Sequence, residues 1–167
     1  MDVVFTYGRF NPPHLGHKMM IEEVINKAKK MNKIPVVIVS HSYGNRTNPL
    51  PVTDKIRILK RWFPELTVLS SSRERSLAKI SENFDERSVM VVGENRKNAF
   101  SFLKFNRHAL KRPNAAPSAT KARAAAISGN KEVFKNLTGY NLTNNIQNKI
   151  SKVSTITKGQ AKKLQPK

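Results

Sequence analysis

The chain has 167 residues, with 31 Lys+Arg against 11 Asp+Glu, a formal net charge of +20 and no cysteine. That length fits one domain with one hydrophobic core, and the missing thiols exclude disulfides, zinc–thiolate sites and a cysteine nucleophile. No run approaches the roughly eighteen apolar residues of a membrane span, and "MDVVFTYGRF" has no basic stretch ahead of a long apolar one, so neither a membrane span nor a signal peptide is expected.

In chain order, "VVFTY" is rich in β-branched and aromatic residues and predicts a buried first strand. Met20, Ile21, Val24, Ile25, Ala28 and Met31 recur at helical spacing and predict an amphipathic helix over 15–31. "IPVVIVS" (34–40) reads as a second strand, apolar on both faces. "HSYGNRTNPLP" is loop by composition, followed by a helix over 52–63 that stops at Pro64. "LTVLS" (66–70), the helical "ERSLAKISENF" and "SVMVVG" (88–93) continue the alternation. After them come a helical "ENRKNAFSFLKF", an irregular "NRHALKRPNAAP", a helix "SATKARAAAIS" closed by Gly129, and a short helix "KEVFKNLT".

Alternating strands and helices predict an α/β fold, a Rossmann-like open parallel sheet with helices on both faces. Such sheets bind ligands beyond the carboxyl ends of their strands, and both "GRFNPPHLGH" and "VGENRKN" follow a strand. The domain is expected to end at residue 139. From Tyr140 onward, residues 140–167 contain no acid and read as a basic, poorly ordered tail with one weak helix at Ile146, Ile150 and Val153. Residues 104–167 hold 14 basic groups and one acid, Glu132. A field of that sign attracts polyanions without choosing among them.

Gly8 directly follows the first strand, where a missing Cβ lets a ligand approach the backbone. Pro12 and Pro13 stiffen the loop. His14 and His17 flank Gly16 at a helix start, where unpaired N–H groups and the helix dipole favour an anion. Two imidazoles at such a place form a cradle for a polyphosphate; the plainer reading is a proline-stiffened turn with incidental polar residues. Further on, Ser118 and Thr120 precede a run of alanines, able to cap a helix and to offer hydroxyls, and Arg123 lies one turn in, suited to a forked phosphate contact. His41 and His108 are isolated, no carboxylate pair has ligand spacing, and no G-x-S-x-G elbow is present. No protein metal site is expected.

"GRFNPPHLGH" resembles the HxGH signature of the nucleotidylyltransferases, and "PSATKAR" resembles their second signature. "NPLPVTDKIRILKRWFP", "VMVVGENRKNAF" and "SATKARAAAISGNKEVFKNL" are similar to blocks of short nucleotidylyltransferase-like proteins of large bacteriophages, and the wording of the first motif is similar to that of nicotinamide-nucleotide adenylyltransferases. The resemblance, over roughly residues 1–139, implies transfer of a nucleotidyl group, AMP favoured, from a nucleoside triphosphate to a phosphorylated acceptor such as nicotinamide mononucleotide. CTP with a sugar- or alcohol-phosphate is the alternative. It implies His14, His17 and Arg123 as catalytic residues, with Gly8, Arg9, Phe10, Gly16, Gly93, Asn95, Arg96, Ser118 and Thr120 around the nucleotide and Lys55 as a phosphate contact. Mg2+ would arrive on the triphosphate, and the setting would be cytoplasmic, the host's cytoplasm for a phage protein. Two departures stand out: Glu94 and Asn95 replace the Ser-Asp of the phage relatives, and the short stretch 105–117 predicts a reduced or missing fifth strand. The rival reading is a catalytically weak nucleic-acid-binding or virion-associated protein on the same fold, its basic tail contacting nucleic acid non-specifically.

Overall fold

The computed structural model describes residues 1–111 and 117–154. Five strands, β1 (Val3–Gly8), β2 (Ile34–Val39), β3 (Thr67–Ser70), β4 (Val89–Gly93) and β5 (Asn106–Leu110), form one parallel sheet in the order β3-β2-β1-β4-β5. The helices are α1 (Leu15–Met31), α2 (Val52–Trp62), α3 (Leu77–Ser81), α4 (Ala119–Ser128), α5 (Lys131–Thr138) and α6 (Asn144–Lys152), with a 3-10 helix at Glu94–Phe100. Both faces of the sheet are covered, and the two-residue period of each strand decides what covers them. Val3, Phe5, Val36, Ile38, Met90 and Val92 point to the side of α3 and the 3-10 helix. Their alternates pack on the other side: Val4, Val89 and Val91 against α1, and Val37 and Val39 against α1 and α2. β1 pairs with β2 from Val3↔Ile34 to Gly8↔Val39, so the loops after both strands emerge side by side. Strand order turns back between β1 and β4, which opens a crevice at their carboxyl ends.

Three elements differ from the sequence reading. The helix expected over 74–84 is only Leu77–Ser81, because Ser76 caps it by accepting the Lys79 N–H at 3.3 Å and residues 72–75 form a separate turn. The helix expected through Phe105 is a 3-10 helix ending at Phe100. The fifth strand is present, paired with β4 from Val89↔Asn106 to Gly93↔Leu110. Its pattern is hidden because polar side chains hold half-buried positions on an edge strand. Arg107 donates to the carbonyls of Phe100 and Leu103, and His108 lies 3.3 Å from Glu23 on α1.

The boundary expected after residue 139 does not separate a tail from the domain. Leu142, Ile146 and Ile150 are buried against Ala122, Ala126 and Phe134 of α4 and α5, and Lys149 reaches the buried carboxylate of Asp54 on α2 at 2.6 Å. Thr143 caps α6 by accepting the Ile146 N–H at 3.2 Å. Each buried isoleucine contributes about 1.5–3 kcal/mol, enough to hold a nine-residue helix that its propensities alone would not. The remainder of the expected tail, residues 155–167, lies outside the described residues. Among the described residues no helix is long and apolar enough to cross a membrane.

Candidate functional site

A cavity of about 570 Å³ opens at the carboxyl ends of β1, β4 and β5, flanked by the first turns of α1 and α4. Its near wall is the loop between β1 and α1. His14 is the N-cap of α1 and its Nδ1 accepts the Gly16 N–H at 3.0 Å. His17, three residues on, turns back so that its Nδ1 accepts the His14 N–H at 3.1 Å. This is a capping box built from two imidazoles. The rings stack with centroids 3.7 Å apart and 27° between planes. Both Nδ1 atoms accept from backbone N–H groups, so in the neutral rings the proton sits on Nε2. Any hydrogen bond donated to a ligand therefore comes from Nε2.

The glycines of this loop make room for side chains. A Cβ on Gly16 would lie 2.8 Å from Cε1 of His14, so only glycine lets the capping ring fold over that position. A Cβ on Gly8 would lie 3.0 Å from the ring of Phe10. The space beside Gly8 is shared with Phe10, which adopts a left-handed φ of 51° and lies 4.6 Å from the His17 ring, and both residues line the cavity. Asn11, which the sequence reading passed over, is buried and locks the loop: its Nδ2 donates to the carbonyls of Ser42 and Leu50 while its Oδ1 accepts the Leu50 N–H at 2.7 Å.

Lys55 is corrected by the structure. It was expected as a phosphate contact, but it is fully buried and absent from the cavity wall. Its Nζ donates to the carbonyls of Arg9 (2.8 Å), Ser40 (2.6 Å) and Ser42 (3.4 Å), tying the loops after β1 and β2 together from behind. Burial, with a smaller push from the Arg9 guanidinium, lowers its pKa to about 8.

The second wall comes from α4. Ser118 caps that helix by accepting the Lys121 N–H at 3.1 Å, and Thr120 lines the cavity beside it. Arg123 donates through Nη1 to the Asn11 carbonyl at 2.8 Å and the Thr47 carbonyl at 3.4 Å, and through Nη2 to Thr120 Oγ1 at 3.3 Å. Burial, then the nearby Arg9 and Arg46, pull its pKa below the usual arginine value. Positive charge is therefore crowded here without a compensating acid.

The far wall is formed after β4. Gly93 sits close under the Asn95 side chain, and Arg96 lies over the Phe100 ring, 5.7 Å from its centroid. The structure thus gathers His14, His17, Arg123, Gly8, Arg9, Phe10, Gly16, Gly93, Asn95, Arg96, Ser118 and Thr120 around one cavity, with Lys55 behind it. Thr6, Ser40, Ser42, Thr47 and Lys111 also line the cavity, and among the described residues no carboxylate does. Lys111 was missed because the strand that delivers it was missed. Among the described residues no three His, Asp or Glu side chains are grouped to hold a metal ion. His41 bonds to Ser71 instead, Nδ1 to Oγ at 2.7 Å.

Behind the loop stands Tyr140, assigned from the sequence to the tail. Its hydroxyl donates to the Pro13 carbonyl at 2.6 Å, and burial raises its pKa far above the tyrosine norm, so it stays a neutral donor. Gly139, at φ 83°, packs where a Cβ would lie 2.9 Å from Leu15, the first residue of α1. No local pattern marks Tyr140; only the tertiary contact does.

The cytidylyltransferase-like family model matches residues 5–115. No curated protein matches the chain. Among solved structures, a bifunctional NMN adenylyltransferase/ADP ribose pyrophosphatase from Francisella tularensis is similar with TM-score 0.65 and 14% identity, over 90% of this chain and 52% of that one. The same enzyme complexed with AMP and a manganese ion gives 0.62 and 16%, again over 90% and 52%. A macrolide-efflux protein from Streptococcus pneumoniae gives 0.57 and 18%, over 84% and 65%. The chain spans about half to two thirds of the length of these structures, and the likeness is one of fold. With its strand–loop–helix site inside the matched region and the match covering most of its length, the chain belongs to the cytidylyltransferase-like family.

Proposed function

We propose that the cavity transfers a nucleotidyl group from a nucleoside triphosphate to a phosphorylated acceptor, releasing pyrophosphate. The observation that carries this is the stacked His14–His17 pair at the start of α1 sharing a carboxylate-free cavity with Arg123 and the start of α4. An acceptor phosphate is already a nucleophile, so no protein base is required. One of its oxygens attacks the α-phosphorus, the bond from that phosphorus to the β-phosphate bridging oxygen breaks, and pyrophosphate leaves. The residues align the in-line attack and stabilise the charge that builds. On this reading the Nε2–H groups of His17 and His14 serve the α-phosphate and its neighbouring oxygens. Ser118, Thr120 and Arg123 serve the β- and γ-phosphates, and Gly93, Asn95 and Arg96 border the base or the acceptor. Magnesium enters as part of the nucleotide substrate, since the wall offers no carboxylate to hold it.

ATP is the favoured donor, supported by the AMP complex of the Francisella enzyme, and nicotinamide mononucleotide is the first small acceptor to test. CTP with a sugar- or alcohol-phosphate is the second reading, favoured by the family match. Pyrophosphate release from ATP and from CTP, measured against a panel of phosphorylated acceptors, tests the proposal. Release that requires both a triphosphate and an acceptor phosphate is expected. Tight binding of nucleic acid with no release under any acceptor would favour the binding-protein reading instead.

A further inference from the structure

Basic residues cluster on the loops that follow the strands, at the edge of the sheet that carries the cavity. Before the strands, at the edge away from the cavity, Asp2, Glu65, Asp85 and Glu86 are interspersed with Lys33, Arg87, Lys104 and the basic last turns of α1 and α2. After the strands, Arg9, Arg46, Arg73, Arg75, Arg96 and Lys111 face only Glu74 and Glu94. A mononucleotide donor and a small acceptor would fill the cavity without touching Arg73 or Arg75, which follow β3 and lie outside its wall. These arginines are nevertheless continuous with it. Ser71 Oγ accepts the His41 N–H at 3.1 Å and the Ser71 N–H donates to the Val39 carbonyl at 2.9 Å, so the loops after β2 and β3 form one surface, and Ser40, Ser42 and Thr47 of the first loop line the cavity.

On that surface stands Tyr43, 58% exposed. Its loop is locked. Asn45 Oδ1 accepts from the backbone N–H groups of Thr47 and Asn48, the Gly44 N–H donates to the Asn48 carbonyl, and Asn11 and Lys55 hold the Ser42 carbonyl from beneath. An exposed aromatic ring on a fixed loop that lines a nucleotide-sized cavity, with exposed arginines on the adjoining loop, is an arrangement suited to single-stranded nucleic acid. Bases stack on the ring, and guanidinium groups follow the backbone phosphates.

We infer that the acceptor is the 5′-phosphorylated end of a single-stranded nucleic acid, its terminal phosphate in the cavity and its next nucleotides along Tyr43, Arg73 and Arg75. This rests on the nucleotidylyl-transfer reading above and names its acceptor. The terminal 5′-phosphate oxygen attacks the α-phosphorus of the triphosphate, the α–β bridging bond breaks with its electron pair going to pyrophosphate, and the strand is left with a 5′,5′-pyrophosphate-linked nucleotide. No oxidant, reductant or covalent enzyme intermediate is involved.

The test gives the full chain α-labelled ATP or CTP with a 5′-phosphorylated oligonucleotide, its 5′-hydroxyl counterpart, or nicotinamide mononucleotide. The expected result is phosphatase-resistant label on the 5′-phosphorylated strand and none on the 5′-hydroxyl strand. Tyr43→Ala should raise the KM for the strand roughly five- to a hundredfold, as loss of one base-stacking ring does. The double variant Arg73→Ala/Arg75→Ala should make the salt dependence of strand binding shallower by about 0.7 per lost contact. Label on the small acceptor with none on either strand would overturn the inference and leave the transferase reading standing. Label on no acceptor would overturn both. A strand KM and salt slope unchanged in the variants would overturn the assignment of this surface.

Discussion

The loop from Gly8 to His17 and the segment from Gly139 to Ile150 meet at Pro13 and Leu15, yet they are held by opposite means. The front loop is polar and is fixed by hydrogen bonds to its own backbone. His14 and His17 cap α1 with Nδ1 while lining the cavity, and Arg123 on α4 anchors the loop at Asn11 from the cavity's second wall. The back segment is polar in sequence but is held through its few apolar side chains, and it lies outside the cavity wall. Ile146, Ile150 and the Tyr140 ring are held by packing, and the segment meets the front loop through the Tyr140 hydroxyl and through Gly139 against Leu15. Chemistry at the front is thus stabilised by bulk at the back. Damage to the back should be felt first as lost stability, and damage to the front first as lost turnover.

The largest expected effect is at the back. Cutting the chain after Tyr140 removes Leu142, Ile146, Ile150 and the Lys149–Asp54 pair, leaving α4 uncovered and a buried carboxylate short of a partner. A loss of several kcal/mol follows, a large part of the roughly 5–15 kcal/mol of a typical domain. Denaturant unfolding should show the truncated chain barely folded at room temperature. A cut after Ser154 is the matched control, expected to leave the unfolding midpoint where it was.

At the front, Arg123→Lys keeps a charge but loses the fork that spans the Asn11 carbonyl and Thr120. Calorimetry should find triphosphate affinity reduced by about tenfold or more, with monophosphate affinity changed much less. Equal losses for both ligands would mean general damage to the loop.

Tyr140→Phe joins the two regions in one atom. It keeps the packed ring and leaves the Pro13 carbonyl without its donor, at a cost of about 1–3 kcal/mol. Thermal unfolding should fall accordingly while the KM for nucleotide rises modestly. An unchanged KM would show that the front loop holds its shape unaided.

A pH-dependent effect concerns Lys55. Its folded pKa of about 8 lies below the 10.5 of the free side chain, so between these values the unfolded chain binds more protons than the folded one. Stability from this group therefore rises with pH across that window, and below about pH 8 the full penalty of burying the charge is present. Unfolding measured at the two ends of the window should show this rise in the wild type and lose it in Lys55→Met.

The same contrast explains what could be read from the sequence. The order of strands and helices through β4 was legible, because apolar periodicity and cap residues are local signals, and the pairing of HxGH with "PSATKAR" was legible through the family resemblance. So was α1, found at Leu15–Met31 as expected. β5 was not, since Arg107 and His108 satisfy half-buried positions through contacts with Leu103 and Glu23 that no local pattern announces. α6 was legible as a weak helix at Ile146, Ile150 and Val153, but its place in the core was not, because that depends on the face of alanines that α4 presents to it. Lys55 was misread for a related reason: a lysine on a helix suggests solvent or phosphate, and three backbone carbonyls from two loops are invisible until the chain is folded.

The claim that the imidazoles of the front loop both build the site and act in it is tested most directly by His17→Asn. The asparagine Oδ1 can take the place of Nδ1 and accept the His14 N–H, so the cap survives, while the group that replaces Nε2–H is gone. Stability and pyrophosphate-releasing turnover are measured together on the same preparation. The account predicts an unfolding midpoint close to wild type with turnover lower by about 10²–10³, the usual cost of removing one donor that stabilises developing charge. Near-normal turnover with the cap intact would contradict it, leaving His17 as a helix cap and nothing more.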